Sequence, residues 1–297
     1  MESEVVVPVS SRRALAPLTA LRPGEWIKNA FVLAPLVFSG SLDDTSLVVR
    51  SIATTAAFCA VASAGYLVND VRDAELDRQH PRKRFRAVAS GALHPRVAVA
   101  LAVGLWIGGA ALALAVRPSV LLIVAGYVAL SVSYSMVLKR LVIIDVMTIA
   151  AGFLLRVEAG LVAIHGVKSE WLIICTSMLA MLLGFTKRRQ EAVSELHDGL
   201  RSRPVLEHYS LPFLDQMVSI AATGTLISYV LYTQNSQLIG NRMLPTAIPV
   251  TYGVLRYLYL IYHRRDHRST ASLLVRDPGI VLAGVAWIAL AAALLYA

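Results

Sequence analysis

Residues 47–86 read LVVRSIATTAAFCAVASAGYLV and then NDVRDAELDRQHPRKRFR. The first part, Leu47–Val68, is apolar over a length that crosses a bilayer, for which about 20 residues suffice. The second, Asn69–Arg86, carries the carboxylates Asp70, Asp73, Glu75 and Asp77, followed after Pro81 by Arg82, Lys83, Arg84 and Arg86. An apolar run ending in a dense block of both charges sets two expectations. The run is a membrane-spanning helix, and the block at its end is a polar site.

The rest of the chain agrees with the first expectation. Of 297 residues, 57% are hydrophobic and 16% charged, whereas a soluble domain carries about 25% charged residues. Long apolar runs recur without strand-like alternation. An all-α, polytopic membrane protein follows, because a helix satisfies its backbone polar groups within one segment. The expected spans are nine: Trp26 to Phe38 or Gly40, broken by Pro35, then Leu47–Val68, Val97–Val116, Val120–Leu138, Leu141–Ile164, Trp171–Thr186, Phe213–Thr233, Leu244–Tyr262 and Gly279–Tyr296. Short polar turns separate them, so residues 21–297 read as one transmembrane domain behind a disordered cytosolic tail, 1–20. The opening is not a signal peptide, since Glu2 and Glu4 stand where an apolar core would be. Cys59 and Cys175 fall inside apolar runs, without metal or disulfide spacing.

Loop charge orients the chain. With nine spans and a cytosolic N-terminus, 22 of the 28 lysines and arginines fall on the cytosolic side, as the positive-inside rule requires. This topology accounts for the net charge of +9 and removes nucleic acid as a partner. It places the chain in the cytoplasmic (inner) membrane, with the block after span two and the polar segment Lys187–Pro212 after span six both in the cytosol.

The acidic block has the pattern N-D-x-x-D-x-x-x-D. On a continuing helix Asp70, Asp73 and Asp77 share one face, where they repel one another unless a cation lies among them. Positive-inside topology gives no reason for such a face. All-oxygen donors, with Asn69 adding a neutral one, suit Mg2+, which takes one or two carboxylates and completes its shell from substrate phosphates. Cations on the far side of Pro81 suit those phosphates; as a topology signal alone they are equally well explained.

YLVNDVRDAELDRQHPRKRFRAVASG, residues 66–91, resembles the first aspartate-rich motif of the UbiA superfamily of membrane prenyltransferases. Nine helices with cytosolic segments after the second and sixth are also similar to that family. Most members carry a second aspartate-rich motif after helix six; here the place reads GFTKRRQEAVSELHDG, with Lys187, Arg188, Arg189 and Glu191 and no D-x-x-x-D. Five stretches resemble instead a branch that moves a 5-phosphoribosyl group. These are RPGEWIKN at Arg22–Asn29, KRFRAVASG at Lys83–Gly91 (with Ala87 where the branch has proline), Lys187-Arg188-x-x-Glu191, Tyr134 with Lys139, and Arg156 in LLRVEAG. Glu207 and Tyr209 in VLEHYS match as well, without an assigned role.

The resemblance implies Mg2+-dependent transfer of 5-phosphoribosyl from phosphoribosyl diphosphate to a polyprenyl (decaprenyl) phosphate, with loss of diphosphate, in making cell-wall arabinan precursors. Asp70, Asp73, Asp77 and Asn69 are then the metal ligands. Lys83, Arg84 and Arg86 are candidates for the donor's phosphates. Lys28, Asn29, Tyr134, Lys139, Arg156, Lys187, Arg188 and Glu191 are candidates for the remaining substrate contacts and for catalysis. The acceptor phosphate is already an anionic nucleophile, so no general base is needed. Arg156, inside a span, is a functional candidate on cost alone. Asp145 reads either as a partner for Lys139 or as a first-turn charge. Trp26 and Trp171 read as interfacial anchors.

Two other readings stay open. A UbiA-type enzyme that prenylates an aromatic acceptor requires the missing second aspartate cluster. A transporter or lipid-binding protein without chemistry explains the spans but not the acidic face. Whether the chain forms a homo-oligomer is not decided by the sequence.

Overall fold

The computed structural model describes residues 16–79, 83–166, 169–198, 204–234, 240–263 and 277–296. Helix is the only regular structure among them. The helices are α1 (Ala34–Phe38), α2 (Thr45–Arg72), α3 (Ala74–Gln79), α4 (Pro95–Val116), α5 (Pro118–Met136), α6 (Ile144–Ala163), α7 (Glu170–Asp198), α8 (Leu211–Gln234), α9 (Ala247–His263) and α10 (Pro278–Tyr296). Among the described residues seven helices (α2, α4, α5, α6, α7, α8 and α10) are long and apolar enough to cross a membrane. The chain is a multi-pass membrane protein.

The two remaining expected spans differ in form. Trp26–Gly40 is a 3-10 helix, Pro23–Leu33, running into the five-residue α1. Leu244–Tyr262 begins as a 3-10 segment, Gly240–Thr246 with Pro245 inside it, and continues as α9, 17 residues long. At 1.5 Å per residue α9 alone reaches about 26 Å, short of a hydrocarbon core of about 30 Å. Of the expected tail, residues 16–20 are helical with Ala16 and Ala20 buried, and residues 1–15 lie outside the described set.

The chain divides into two compact units. One comprises residues 1–36, 44–135 and 155–166, the other residues 37–43, 136–154 and 167–297. In the first, α2 lies against α4, and Gly109 makes the approach possible. A Cβ there would stand 2.8 Å from Val61 Cγ1 and 3.2 Å from the Ala57 carbonyl oxygen. Asp44 caps α2, accepting hydrogen bonds from the backbone of Ser46 and Leu47. Ala64 and Leu67 of α2, Val88 and Leu93 of the following turn, and Ala98 and Ala102 of α4 form one buried cluster. In the second unit Val146, Leu182, Phe185, Val205, Tyr209, Leu214 and Tyr257 form the core.

Candidate active site

The acidic block does not continue as one helix. Asp73 caps α2 with φ −93° and ψ 3°, and α3 starts at the next residue. The chain bends there while its hydrogen bonds continue, from Asp73 N to the Asn69 oxygen and from Asp77 N to the Asp73 oxygen, both 2.9 Å. Asp73 is set apart from the other two carboxylates. Asp70 and Asp77 are buried, at 2% and 4% exposure. The carboxylate of Asp73 turns to Arg72 Nε at 3.0 Å, and both of those side chains are more than a third exposed.

Positive charge meets the buried pair from two sides. Arg86 Nη1 donates to Asp77 Oδ2 at 2.6 Å and lies 3.4 Å from Asp70 Oδ1. Arg22 Nη2 donates to the same Asp70 oxygen at 2.5 Å. Arg86 is aimed back at the acids because its turn is anchored. Ala87 and Val88 are buried, Leu93 N donates to the Ala87 oxygen at 2.8 Å, and Gly91, at φ +75°, supplies the left-handed residue that reverses the chain. Lys83 lies in the short 3-10 segment Lys83–Phe85, and Arg84 stacks on Phe85 at 4.9 Å. A cavity of about 340 Å³ opens over this cluster, lined by Thr19, Arg22, Asp70, Phe85 and Arg86.

A second polar group in the same unit joins residues far apart in sequence. Arg156, 6% exposed, donates from Nε to Asn29 Oδ1 at 2.7 Å and from Nη2 to the Tyr127 hydroxyl at 3.0 Å. Its guanidinium also lies 4.6 Å from the Tyr127 ring centroid, a favourable cation–π distance. Asn29 Nδ2 in turn donates to Cys59 Sγ. Gly160 permits this approach. It stands one turn beyond Arg156, and a Cβ on it would sit 2.1 Å from the Val32 carbonyl oxygen. Lys28, next to Asn29, pairs with Glu25 near the surface.

The second unit holds its own cluster. Arg188 is fully buried, donating from Nε to Asp145 Oδ2 at 2.5 Å and from Nη1 to Glu191 Oε2 at 2.6 Å. Gly184 lies one turn before Arg188 on the same face of α7. A Cβ there would meet Val146 Cγ1 at 2.6 Å, so the two backbones run close and Arg188 stands opposite Asp145. Tyr209 completes the group. Its hydroxyl donates to Asp145 Oδ1 at 2.7 Å and accepts from Ile143 N at 2.6 Å. Burial, and the bond given to Asp145, push this phenol above its ordinary range, so it remains a proton donor. Ile143 is left-handed at φ +68°, unusual for a β-branched residue. Arg189 pairs with Asp215 at 2.5 Å and stacks on Tyr262 at 4.2 Å. Lys187 is exposed on α7.

The polar segment expected from Lys187 is therefore helix as far as Asp198. Neither glycine nor proline occurs between Gly184 and Gly199 to stop it, and Asp145 and Glu191 neutralise the charge that Arg188 buries. Tyr134 lies at the C-terminal end of α5 and Lys139 in the 3-10 segment Leu138–Arg140. Sequence reasoning passed over Arg22, Tyr127 and the joint between Asp145 and Tyr209. The only signals were the matches at RPGEWIKN and VLEHYS. Arg82 and residues 264–276 lie outside the described set.

Residues 30–276 match the UbiA prenyltransferase family. The chain belongs to the UbiA family. It is 34% identical to a decaprenyl-phosphate phosphoribosyltransferase of Corynebacterium glutamicum over 81% of this chain and 75% of that protein. It is 30% identical to the protein of the same name from Mycobacterium tuberculosis over 97% of both. A solved UbiA homologue of Archaeoglobus fulgidus, bound to DMAPP and Mg2+, is 17% identical and superposes with a TM-score of 0.70 over 94% of this chain and 99% of its own. That likeness shows the UbiA fold. The chain is accordingly a membrane-embedded transferase.

Proposed function

We propose that the protein transfers a 5-phosphoribosyl group from phosphoribosyl diphosphate to a polyprenyl phosphate, decaprenyl phosphate in the first instance, with release of diphosphate. The observation that carries the proposal is the pair of buried carboxylates, Asp70 and Asp77, held by the half-buried Arg22 and Arg86 beside an open cavity, in a chain whose relatives bear the phosphoribosyltransferase name. The replacement of a second aspartate motif by Lys187, Arg188 and Glu191 supports the same reading over aromatic prenylation.

The donor set fits Mg2+. Asp70 and Asp77 are hard oxygen donors brought together at Arg86, and they would hold the ion in place of the guanidinium groups that pair with them in this structure; Asn69 precedes Asp70 in the chain, and Asp73, turned to Arg72, stands apart. A bound magnesium ion would neutralise the diphosphate leaving group. The rest falls to side chains of this protein. Lys83, Arg84 and Arg86 orient the donor's phosphates, and orientation with charge stabilisation supplies most of the catalysis. The exposed Lys187 is a phosphate ligand. The buried Arg188 fixes the carboxylate of Glu191. Arg156, Asn29, Lys28, Tyr134 and Lys139 are proposed to contact the remaining substrate groups. The acceptor phosphate attacks C1 as the C1–O bond breaks through an oxocarbenium-like state, as in other glycosyl transfers, and the configuration at C1 inverts. We place the N-terminus and these charged segments on the cytosolic side of the inner membrane, where a soluble anionic donor is found. A role in arabinan precursor synthesis follows if the product is decaprenylphosphoryl 5-phosphoribose.

The test is transfer by purified protein of radiolabel from phosphoribosyl diphosphate to decaprenyl phosphate in the presence of Mg2+. The expected result is a labelled lipid that is lost on adding EDTA. Failure to form it, with labelled 4-hydroxybenzoate prenylated when a prenyl diphosphate is supplied, overturns the proposal.

A further inference from the structure

Arg22 holds the oxygen that the proposed chemistry assigns to a metal ion. Its Nη2 donates to Asp70 Oδ1 at 2.5 Å, and Arg86 reaches the same oxygen at 3.4 Å while bonding Asp77. Two guanidinium groups thus converge on one buried pair of carboxylates. A divalent cation on those carboxylates would lie against both guanidinium groups and be repelled by them. Arginine and divalent cation therefore compete for the same oxygens.

The backbone at Arg22 is fixed while its side chain has room to turn. Arg22 is left-handed, at φ 54° and ψ 61°, immediately before Pro23. That conformation is costly for a non-glycine residue and persists only where the surroundings impose it. Here they do. The Leu21 carbonyl accepts from Ser63 Oγ, Ser63 Oγ accepts from Trp26 Nε1, and Glu25 N donates to the Arg22 carbonyl. The turn is thereby pinned to α2 on both sides of Arg22. The guanidinium lies over the Tyr66 ring at 4.9 Å and lines the 340 Å³ cavity, with the side chain 29% exposed. Such a planar fork suits phosphate oxygens in that cavity as well as it suits a carboxylate.

We infer that Arg22 is an exchangeable counter-charge and a diphosphate ligand: it pairs with Asp70, and it yields that carboxylate to a divalent cation as it takes the oxygens of the substrate's diphosphate in the cavity it lines. The inference rests on the function proposed above and adds to it a residue and a role. A merely structural Arg22–Asp70 tie predicts something different. Its loss would weaken every ligand at this site together.

The test uses full-length protein in detergent and measures two affinities. Mn2+ alone is followed by the EPR signal of the free ion, and labelled inorganic diphosphate is followed by equilibrium dialysis with Mg2+. Arg22→Gln is expected to tighten Mn2+ about threefold or more, because a competitor is gone. It is expected to weaken diphosphate about tenfold or more, because a charged hydrogen-bonding partner is gone. Arg22→Lys keeps the charge and loses the fork, so Mn2+ affinity stays within twofold of wild type and diphosphate weakens several-fold. If Arg22→Gln does not fold, Arg22→Lys decides by that split. Joint weakening of both ligands, or no change in either, overturns the inference. Wild-type protein that turns over phosphoribosyl diphosphate while Arg22→Gln shows no opposed shifts removes the inference and leaves the proposed function standing. Wild-type protein that neither binds diphosphate nor turns over removes both.

Discussion

Asp145→Asn tests how the second charged cluster is held together. Asp145 and Arg188 are both fully buried, and their bond is 2.5 Å long. Removing one partner of a buried pair costs about 3–5 kcal/mol, because the other charge stays desolvated. Glu191 still reaches Arg188 from a side chain that is 20% exposed. The amide introduced at position 145 can still accept from the Tyr209 hydroxyl, so the lower end, about 3 kcal/mol, applies. For a domain of this size that corresponds to a fall of roughly 6–12 °C in melting temperature. The four tryptophans give a fluorescence signal for thermal unfolding in detergent. The double variant Asp145→Leu, Arg188→Met removes both charges and is expected to recover at least half of the lost stability while remaining inactive. A melting temperature for Asp145→Asn within 2 °C of wild type, or a double variant less stable than the single one, would refute the reasoning.

Gly160→Ala places a methyl 2.1 Å from the Val32 carbonyl oxygen; because the obstacle is backbone, the cost should reach the upper part of the 1–3 kcal/mol range for overpacking, and fluorescence melting should show it along with reduced transfer activity. Asp70→Asn and Asp77→Asn are each expected to lower transfer at least 100-fold, about 2.7 kcal/mol of barrier, while the purified protein stays monodisperse on size exclusion. Asp277 has its carboxyl held below the ordinary range, first by the hydrogen bonds from Arg256 and also by the backbone N–H groups of Ile280 and Gly279. The stability from this depressed value is present above the ordinary carboxylate pKa of about 3.9 and is lost as pH falls through the lower folded value. Melting curves of wild type and Asp277→Asn should accordingly differ at pH 7 and draw together only as pH falls below the ordinary carboxylate range.

The spans were legible because hydrophobic length is a local property. The first and eighth differ in form because Pro35 and Pro245 interrupt them, and where a proline-broken run bends rather than spans is set by its neighbours. The acidic block was legible as a site from its spacing. Its bend at Asp73 was not, since the pattern fits an unbroken helix equally well. Arg22 meets Asp70 across 48 residues, Arg156 meets Asn29 across 127, and Tyr209 meets Asp145 across 64. No periodicity within a segment shows which distant segment it will face. Lys187–Asp198 reads from its charges only as a polar cytosolic segment; Asp145, on another helix, is what allows Arg188 to be buried.

The most direct measurement is a paired-donor assay on one preparation. The protein receives polyprenyl phosphate, 4-hydroxybenzoate and Mg2+, with either labelled phosphoribosyl diphosphate or a labelled prenyl diphosphate. The account predicts a labelled phosphoribosyl lipid with the first donor and no prenylated aromatic with the second. Prenylation of the aromatic acceptor, with phosphoribosyl diphosphate left intact, would contradict it.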